Sequence, residues 1–194
     1  VGSRVTRQLI ATGHTVTGLA RSEESTKRVQ AAGGTPLSGD LGDIDTIKNA
    51  AANADAVIHC GYVHDFSDIP GAAATDKTVI EALGDALAGS NKPLIVTSGT
   101  AGLNEDEVQT PEHVKVHPRM SEIAGLAQVD RGVKTMIVRL PPSVHGDGDK
   151  GFMALLGGIA RKNGASVYIG DGSTRWPAVH VEDAAGVYVL ALEK

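Results

Sequence analysis

Val96-Thr97-Ser98-Gly99-Thr100 sets hydroxyl side chains and a glycine directly behind an apolar run. At the carboxyl edge of a parallel sheet, the edge where open α/β folds bind their ligands, Ser98 or Thr100 can donate a hydrogen bond to a carbonyl oxygen. Arg21-Ser22 follows a second such run. In a dinucleotide-binding sheet an acid at this place accepts from the adenosine ribose, whereas an Arg pairs with a 2′-phosphate. The acid is absent and Arg21 is present, so the stretch favours NADP(H), with NAD(H) as the lesser alternative and Ser22 as an auxiliary contact. Gly39-Asp40-Leu41 offers a carboxylate for an adenine edge and an apolar side chain for its face, with Asp43 as the cap of the next helix. His59-Cys60-Gly61 joins small residues that let a backbone approach a ligand closely. Cofactor contacts are therefore expected from Arg21, Ser22, Asp40, Leu41, Cys60, Gly61 and Thr97, and polarisation of a substrate oxygen from Ser98 and Thr100.

The elements that must position these residues can be read from periodicity. Short β-branched runs at Thr15–Ala20, Thr35–Ser38, Ala56–His59, Pro93–Thr97 and Lys134–Leu140 alternate with segments whose apolar residues recur at three and four. Val79, Ile80, Leu83 and Leu87 make one such stripe; Met120, Ile123, Ala124 and Ala127 make another. Gly13, Gly33-Gly34, Gly89 and Gly132 each close a helical pattern shortly before a strand. This is the signature of βαβ units and a doubly wound parallel sheet of the Rossmann type. The chain opens on the amphipathic pattern Val5, Leu9, Ile10 with no strand before it, so the first strand of that fold is expected to precede Val1.

Composition narrows the function classes. With 194 residues the chain fits one domain with a substantial core, and 41% hydrophobic with 21% charged residues is ordinary for a globular protein. A formal net charge of −5 argues against a surface made to neutralise nucleic-acid phosphates. Cys60, the single cysteine, rules out an internal disulfide framework, and neither a long apolar run nor a signal-peptide pattern is present. These point to a reducing compartment, the cytoplasm, and to a small-molecule substrate rather than a nucleic-acid or membrane partner. His113 and His117 stand four apart, but no third ligand follows at a recognised spacing, so no metal is expected.

Several stretches resemble the extended and atypical short-chain dehydrogenase/reductases. Val1-Gly2-Ser3-Arg4 resembles the tail of their glycine-rich phosphate loop, with Gly2 as its last glycine, and Asp40-Leu41 resembles their adenine-contacting pair. The stretch from Arg139-Leu140-Pro141 through Ser143-Val144-His145-Gly146-Asp147-Gly148-Asp149 is similar to the RPxxVYGPGD segment that lines the nicotinamide and substrate cleft. Gly170-Asp171-Gly172 through Arg175 to His180-Val181-Glu182-Asp183-Ala184-Ala185 resembles the GDG…R…HVxDxA stretch at the start of the substrate-binding part, placed here at about 143–194. The resemblance implies that Gly2, Pro141, Ser143 and Val144 contact the cofactor, and that the protein can pair as a homodimer. It also implies an oxidoreductase acting on a small carbonyl or alcohol. A nucleotide-sugar epimerase or dehydratase, and a non-catalytic NADP(H) sensor similar to the NmrA regulators, stay open.

One departure bears on mechanism. Family enzymes carry a Tyr and a Lys four residues apart on the helix after the strand that ends at Thr97. Here the region reads Val114-Lys115-Val116-His117-Pro118-Arg119-Met120-Ser121-Glu122, and no Tyr-x-x-x-Lys occurs anywhere. The usual proton donor is therefore missing. His117, His64 with Asp65, and His145 are the titratable residues nearest the expected cleft.

Overall fold

Alternating β-branched runs and amphipathic segments fold as the periodicity requires. A computed structural model describes residues 1–65, 67–100, 119–149 and 151–194. The elements run α1 (Gly2–Ala11), β1 (Thr17–Ala20), α2 (Glu23–Ala31), β2 (Thr35–Ser38), α3 (Ile44–Ala52), β3 (Val57–His59), α4 (Ile69–Leu87) and β4 (Pro93–Gly99). They continue with α5 (Ser121–Leu126), β5 (Lys134–Leu140), β6 (Ser143–His145), α6 (Phe152–Asn163), β7 (Ala178–His180) and α7 (Val181–Glu193). All strand pairs are parallel. β1 pairs β2 from Thr17↔Thr35, β4 lies between β3 and β5 with Ile95 opposite both Ile58 and Met136, and β6 pairs β7 from Ser143↔Ala178. Among the described residues no pairing joins β1 to β3.

Parallel strands need helical crossovers, and the helices bury both faces of the sheet. Leu94, Ile95 and Val96 of β4 are accordingly 0% exposed. On one face Leu94 and Val96 meet Ile47 of α3, Val79, Ile80, Leu83 and Leu87 of α4, and Ala124 of α5. Leu19 of β1 and Leu41 after β2 pack against this same core and so couple the two-stranded block to the three-stranded one. On the other face Ile95 and Val138 meet Val5 and Leu9 of α1 and Tyr188 and Val189 of α7. α1 and α7 are also tied through Glu182, whose carboxylate takes Arg7 and Arg4 while its backbone oxygen accepts from Gln8 Nε2 at 3.0 Å.

Helix ends follow their local chemistry. Ser22 caps α2 reciprocally with Ser25, and the Asp68 carboxylate accepts from the Gly71 amide at 2.9 Å to start α4, which has a Pro in its first turn. Gly13, Gly33, Gly89 and Gly132 sit at φ +95°, +87°, +69° and +75°, the left-handed region that lets a chain leave a helix toward a strand. Asp43 differs from the expectation: it precedes α3 but makes no side-chain cap, and its carboxylate accepts instead from the Asp40 amide at 2.8 Å.

The strongest departure is α5. The spacing of Met120, Ile123, Ala124 and Ala127 predicts an apolar face, yet the buried positions are Ser121, Glu122, Ala124, Gly125 and Gln128, while Ala127 is exposed. Polar residues are thus buried beside Ala124, which is tolerable because each has a partner: Ser121 donates to Asp76 of α4, Glu122 takes Arg139 of β5, and Gln128 donates to the Ala124 carbonyl. α6 is the opposite case: none of its described residues is buried, and Phe152, Met153, Leu155, Leu156 and Ile159 stand in solvent. No helix among the described residues is long and apolar enough to cross a membrane.

Candidate functional site

β1 ends at Ala20, and the chain turns directly into α2 through Arg21 and Ser22. The turn and the neighbouring end of β2 enclose a depression of about 330 Å³, lined by Arg21, Ser22, Thr26, Lys27, Gln30 and Ser38, with Glu23 as a carboxylate on its wall. Arg21 and Lys27 are both exposed, so two cations reach the opening beside the first turn of a helix. That combination suits an anion. The Ser22 hydroxyl is engaged in its cap, accepting from the Ser25 amide at 3.2 Å, so its first duty is to hold the turn. At the end of β2 the Asp40 carboxylate accepts from the Gly42 amide at 2.6 Å and fixes its own turn. Leu41 then leans over the end of β3. A Cβ on Gly61 would stand 3.0 Å from Leu41 Cδ2, so Leu41 occupies the space that the glycine leaves.

Along β4, neighbouring side chains point to opposite faces. Thr97 follows Ile95 toward α7: its hydroxyl donates to the His59 carbonyl at 2.7 Å and lies 2.8 Å from Tyr188 Oη. Cys60 is in the same corner, where burial pushes its thiol up to about 11 against weaker pulls from hydrogen bonds to Thr97 and Tyr188. Gly2 closes this corner, with its Cβ position 3.7 Å from Cys60 Cβ, an ordinary contact. Gly2, Cys60 and Thr97, each half-buried, thus gather around the buried Tyr188, and the thiol is a packed neutral side chain rather than a reactive one.

Ser98 follows Val96 to the other face and is buried at the base of the edge. Thr100 continues the strand by donating its amide to the Leu140 carbonyl at 3.1 Å. Its hydroxyl is buried with no partner among the described residues. Beneath this edge lies a polar cluster that the sequence reading missed. His59 Nε2 lies 2.8 Å from the Asp76 carboxylate, Ser121 donates to its other oxygen, and all three are under 7% exposed. Beside it, Glu122 takes both Nε and Nη2 of Arg139, the residue that faces Ser98 across the β4–β5 pair. The Glu122 pair holds the Arg139 guanidinium charged, through the hydrogen bonds first. One signal for this cluster was present: extended backward by one turn, the Val79, Ile80, Leu83, Leu87 stripe lands on Asp76. A carboxylate on an apolar stripe needs a partner.

Residues 1–132 match the NAD(P)H-binding family. The chain belongs to that family. It is 46% identical over 199 residues to an uncharacterized protein of Schizosaccharomyces pombe, covering 100% of this chain and 68% of the relative. It is 27% identical over 209 residues to the 2-alkyl-3-oxoalkanoate reductase of Stenotrophomonas maltophilia, covering 100% of this chain and 62% of the relative. The crystal structure of UDP-glucuronic acid 4-epimerase from Bacillus cereus in complex with NAD shares the fold with a TM-score of 0.75 at 16% identity, over 100% of this chain and 70% of that one. The chain therefore spans about two thirds of the length of the proteins it resembles.

As an NAD(P)H-binding fold, the chain brings most of its sequence-predicted contacts to one edge. Arg21, Asp40, Leu41, Cys60, Gly61, Thr97, Ser98 and Thr100 all stand at or just beyond the carboxyl ends of β1 to β4. The residues fit the adenosine end of a dinucleotide through the cationic depression beside α2, and the buried Thr100 hydroxyl, which lacks a partner among the described residues, is a donor left open at the same edge. Pro141, Ser143 and Val144 follow β5. Ser143 is buried and accepts from Trp176 Nε1 at 2.7 Å, so its hydroxyl braces the Trp176 loop, while Val144 pairs with Val179. His145 lies edge-on to His180 at 5.7 Å. His64 packs edge-on against Tyr62 at 5.3 Å, and the Arg119 guanidinium sits 3.8 Å over the Tyr62 ring. His113, Lys115 and His117 lie outside the described residues. Among those described, no group of three His, Cys, Asp or Glu could hold a metal ion.

Proposed function

We propose that this NAD(P)H-binding chain is an NADP(H)-dependent oxidoreductase acting on a small carbonyl or alcohol. The observation that carries the reading is the cationic depression at the end of β1, where Arg21 and Lys27 flank the first turn of α2 and would receive a 2′-phosphate. NADPH, when bound, supplies the hydride for reducing a carbonyl carbon. The chain's own residues bind and orient. Arg21 and Lys27 hold the adenosine end, Asp40 and Leu41 its base, and Ser98 and Thr100 donate to the oxygen on which negative charge grows. The Stenotrophomonas relative, a reductase of 2-alkyl-3-oxoalkanoates, supports a carbonyl substrate.

Titration calorimetry with NADPH and NADH tests the cofactor half. NADPH should bind more tightly, and Arg21→Ala should weaken NADPH by about 1.5–3 kcal/mol, the worth of a hydrogen bond to a charged group, with little effect on NADH. Equal affinities in the parent chain would sink the assignment. Ser98→Ala should lower turnover by roughly 100-fold while leaving NADPH affinity in place, the scale for losing one oxyanion donor. The sensor reading has its own support in the lack of a Tyr-x-x-x-Lys sequence. It gains if no aldehyde or ketone is reduced by a chain that binds NADPH.

A further inference from the structure

We propose that Arg119 is the anion-recognising residue of the substrate pocket, and that the substrate is an oxo acid, a carbonyl compound that also carries a carboxylate. The inference rests on the carbonyl-reducing reading above and names the substrate class for it. Arg119 stands just before α5, and its guanidinium carbon lies 3.8 Å over the ring of Tyr62, which follows the end of β3. Burial pushes up the phenol of Tyr188, whose hydroxyl meets Thr97 near the end of β4, and the Arg119 charge pulls weakly the other way. The guanidinium is therefore suspended over the carboxyl edge of β3 and β4, the crevice in which an open parallel sheet binds its ligand.

The surroundings favour a carboxylate there. A guanidinium is planar and presents its donors as a fork that matches a carboxylate in two bonds, and contact with an aromatic face orients it. Arg119 is partly buried, so an ion pair formed on it is less screened by water than one on the open surface. Two acidic groups among the described residues near this edge already have partners: Asp76 is held by His59 and Ser121, and Glu122 by Arg139. Asp76 and Glu122 would thus meet an incoming carboxylate with their own hydrogen bonds already made. The Tyr62 phenol is pushed up by burial, with Arg119 pulling down and Asp76 adding to the rise, so it remains a neutral ring under the cation. The buried Thr100 hydroxyl at the same edge would take the carbonyl oxygen. Two acceptors on one small substrate would then be read by two separate donors.

A dead-end complex tests binding without turnover. With NADPH present, 3-hydroxyoctanoate and its methyl ester are both already reduced, so calorimetry reads affinity alone. The acid should bind on the order of 10-fold or more tightly than the ester, the equivalent of one hydrogen bond to a charged group. Arg119→Ala should erase that difference and leave NADPH affinity unchanged; Arg119→Lys should restore part of it. A melting temperature for each variant shows whether it is folded, and the Lys variant keeps the test decisive if the Ala variant is not. Equal affinities for acid and ester, or a preference that survives in Arg119→Ala, would overturn the proposal. If the chain does not bind NADPH, the cofactor reading fails by itself, and the same acid–ester comparison without NADPH still decides the role of Arg119.

Discussion

The depression around Arg21 and the corner around Asp76 are built on opposite principles. The first is open, its cations lie in solvent, and its geometry is set by a helix cap and a turn. The second is closed, and its charges and hydroxyls are locked to each other between β3, α4 and α5. Charge in water costs nothing to leave unpaired, so the open site can wait for a ligand. Buried charge must be satisfied within the fold, so the closed site contributes to stability and to the placement of α5. Binding and stability should therefore be separable by mutation in this chain.

The largest effect is expected at the closed site. Asp76→Ala removes the acceptor of both His59 and Ser121 and should destabilise by about 3–5 kcal/mol, the cost of breaking a buried pair, as read by urea unfolding. Arg21→Ala, by contrast, should change stability by no more than about 0.5 kcal/mol, as exposed substitutions do. The two sites would not differ in the way described if Arg21→Ala proved as destabilising as Asp76→Ala. Asp76→Asn sharpens the contrast, since an amide fills the same space and keeps one acceptor, and its loss should be smaller than that of Ala.

A smaller effect is expected at the cap. Ser22→Ala should cost about 0.5–2 kcal/mol of stability by freeing the Ser25 amide. It should weaken NADPH through the placement of Arg21, so an unchanged affinity would mean that the turn is held by something else.

The smallest effect at neutral pH concerns Cys60. Its folded value of about 11 lies above the ordinary 9.0, so folding favours the neutral thiol. The stability this gives is complete below pH 9 and falls as pH rises toward 11. Native protein at pH 8 should resist alkylation by iodoacetamide and react once unfolded; rapid native labelling would show that Cys60 is more open than its neighbours imply.

How much of this was legible in the sequence depended on whether a residue's role was local. Strands Thr35–Ser38 and Lys134–Leu140 have the bounds that the sequence predicts, because Gly34 and Gly39 close the first and Gly132 and Pro141 the second. β1 and β3 begin later than expected, at Thr17 and Val57, and β4 runs on to Gly99 because the full length of β5 pairs with it. β6 and β7, three residues each, are too short for a period to show and exist only because Ser143–His145 finds Ala178–His180 across a long stretch of chain. The site divides in the same way. Arg21 and Asp40 are announced by the turns they occupy, whereas His59, Asp76 and the adjacent Ser121 and Glu122 come together from three separate places and carry no shared motif. Ser121 and Glu122 are hidden further by the apolar spacing of Met120, Ile123, Ala124 and Ala127, of which only Ala124 is fully buried.

The bare apolar side of α6 has a practical consequence for anyone following the unfolding of this chain. Dyes such as anilinonaphthalene sulfonate brighten on exposed hydrocarbon and are used to recognise loosely packed states. With Met153, Leu155, Leu156 and Ile159 in solvent while the sheet core is closed, the folded chain should already light the dye. The fluorescence would then report helix α6 and not a loss of packing, and near-ultraviolet circular dichroism of Tyr188, sealed in the core, would be the sounder witness.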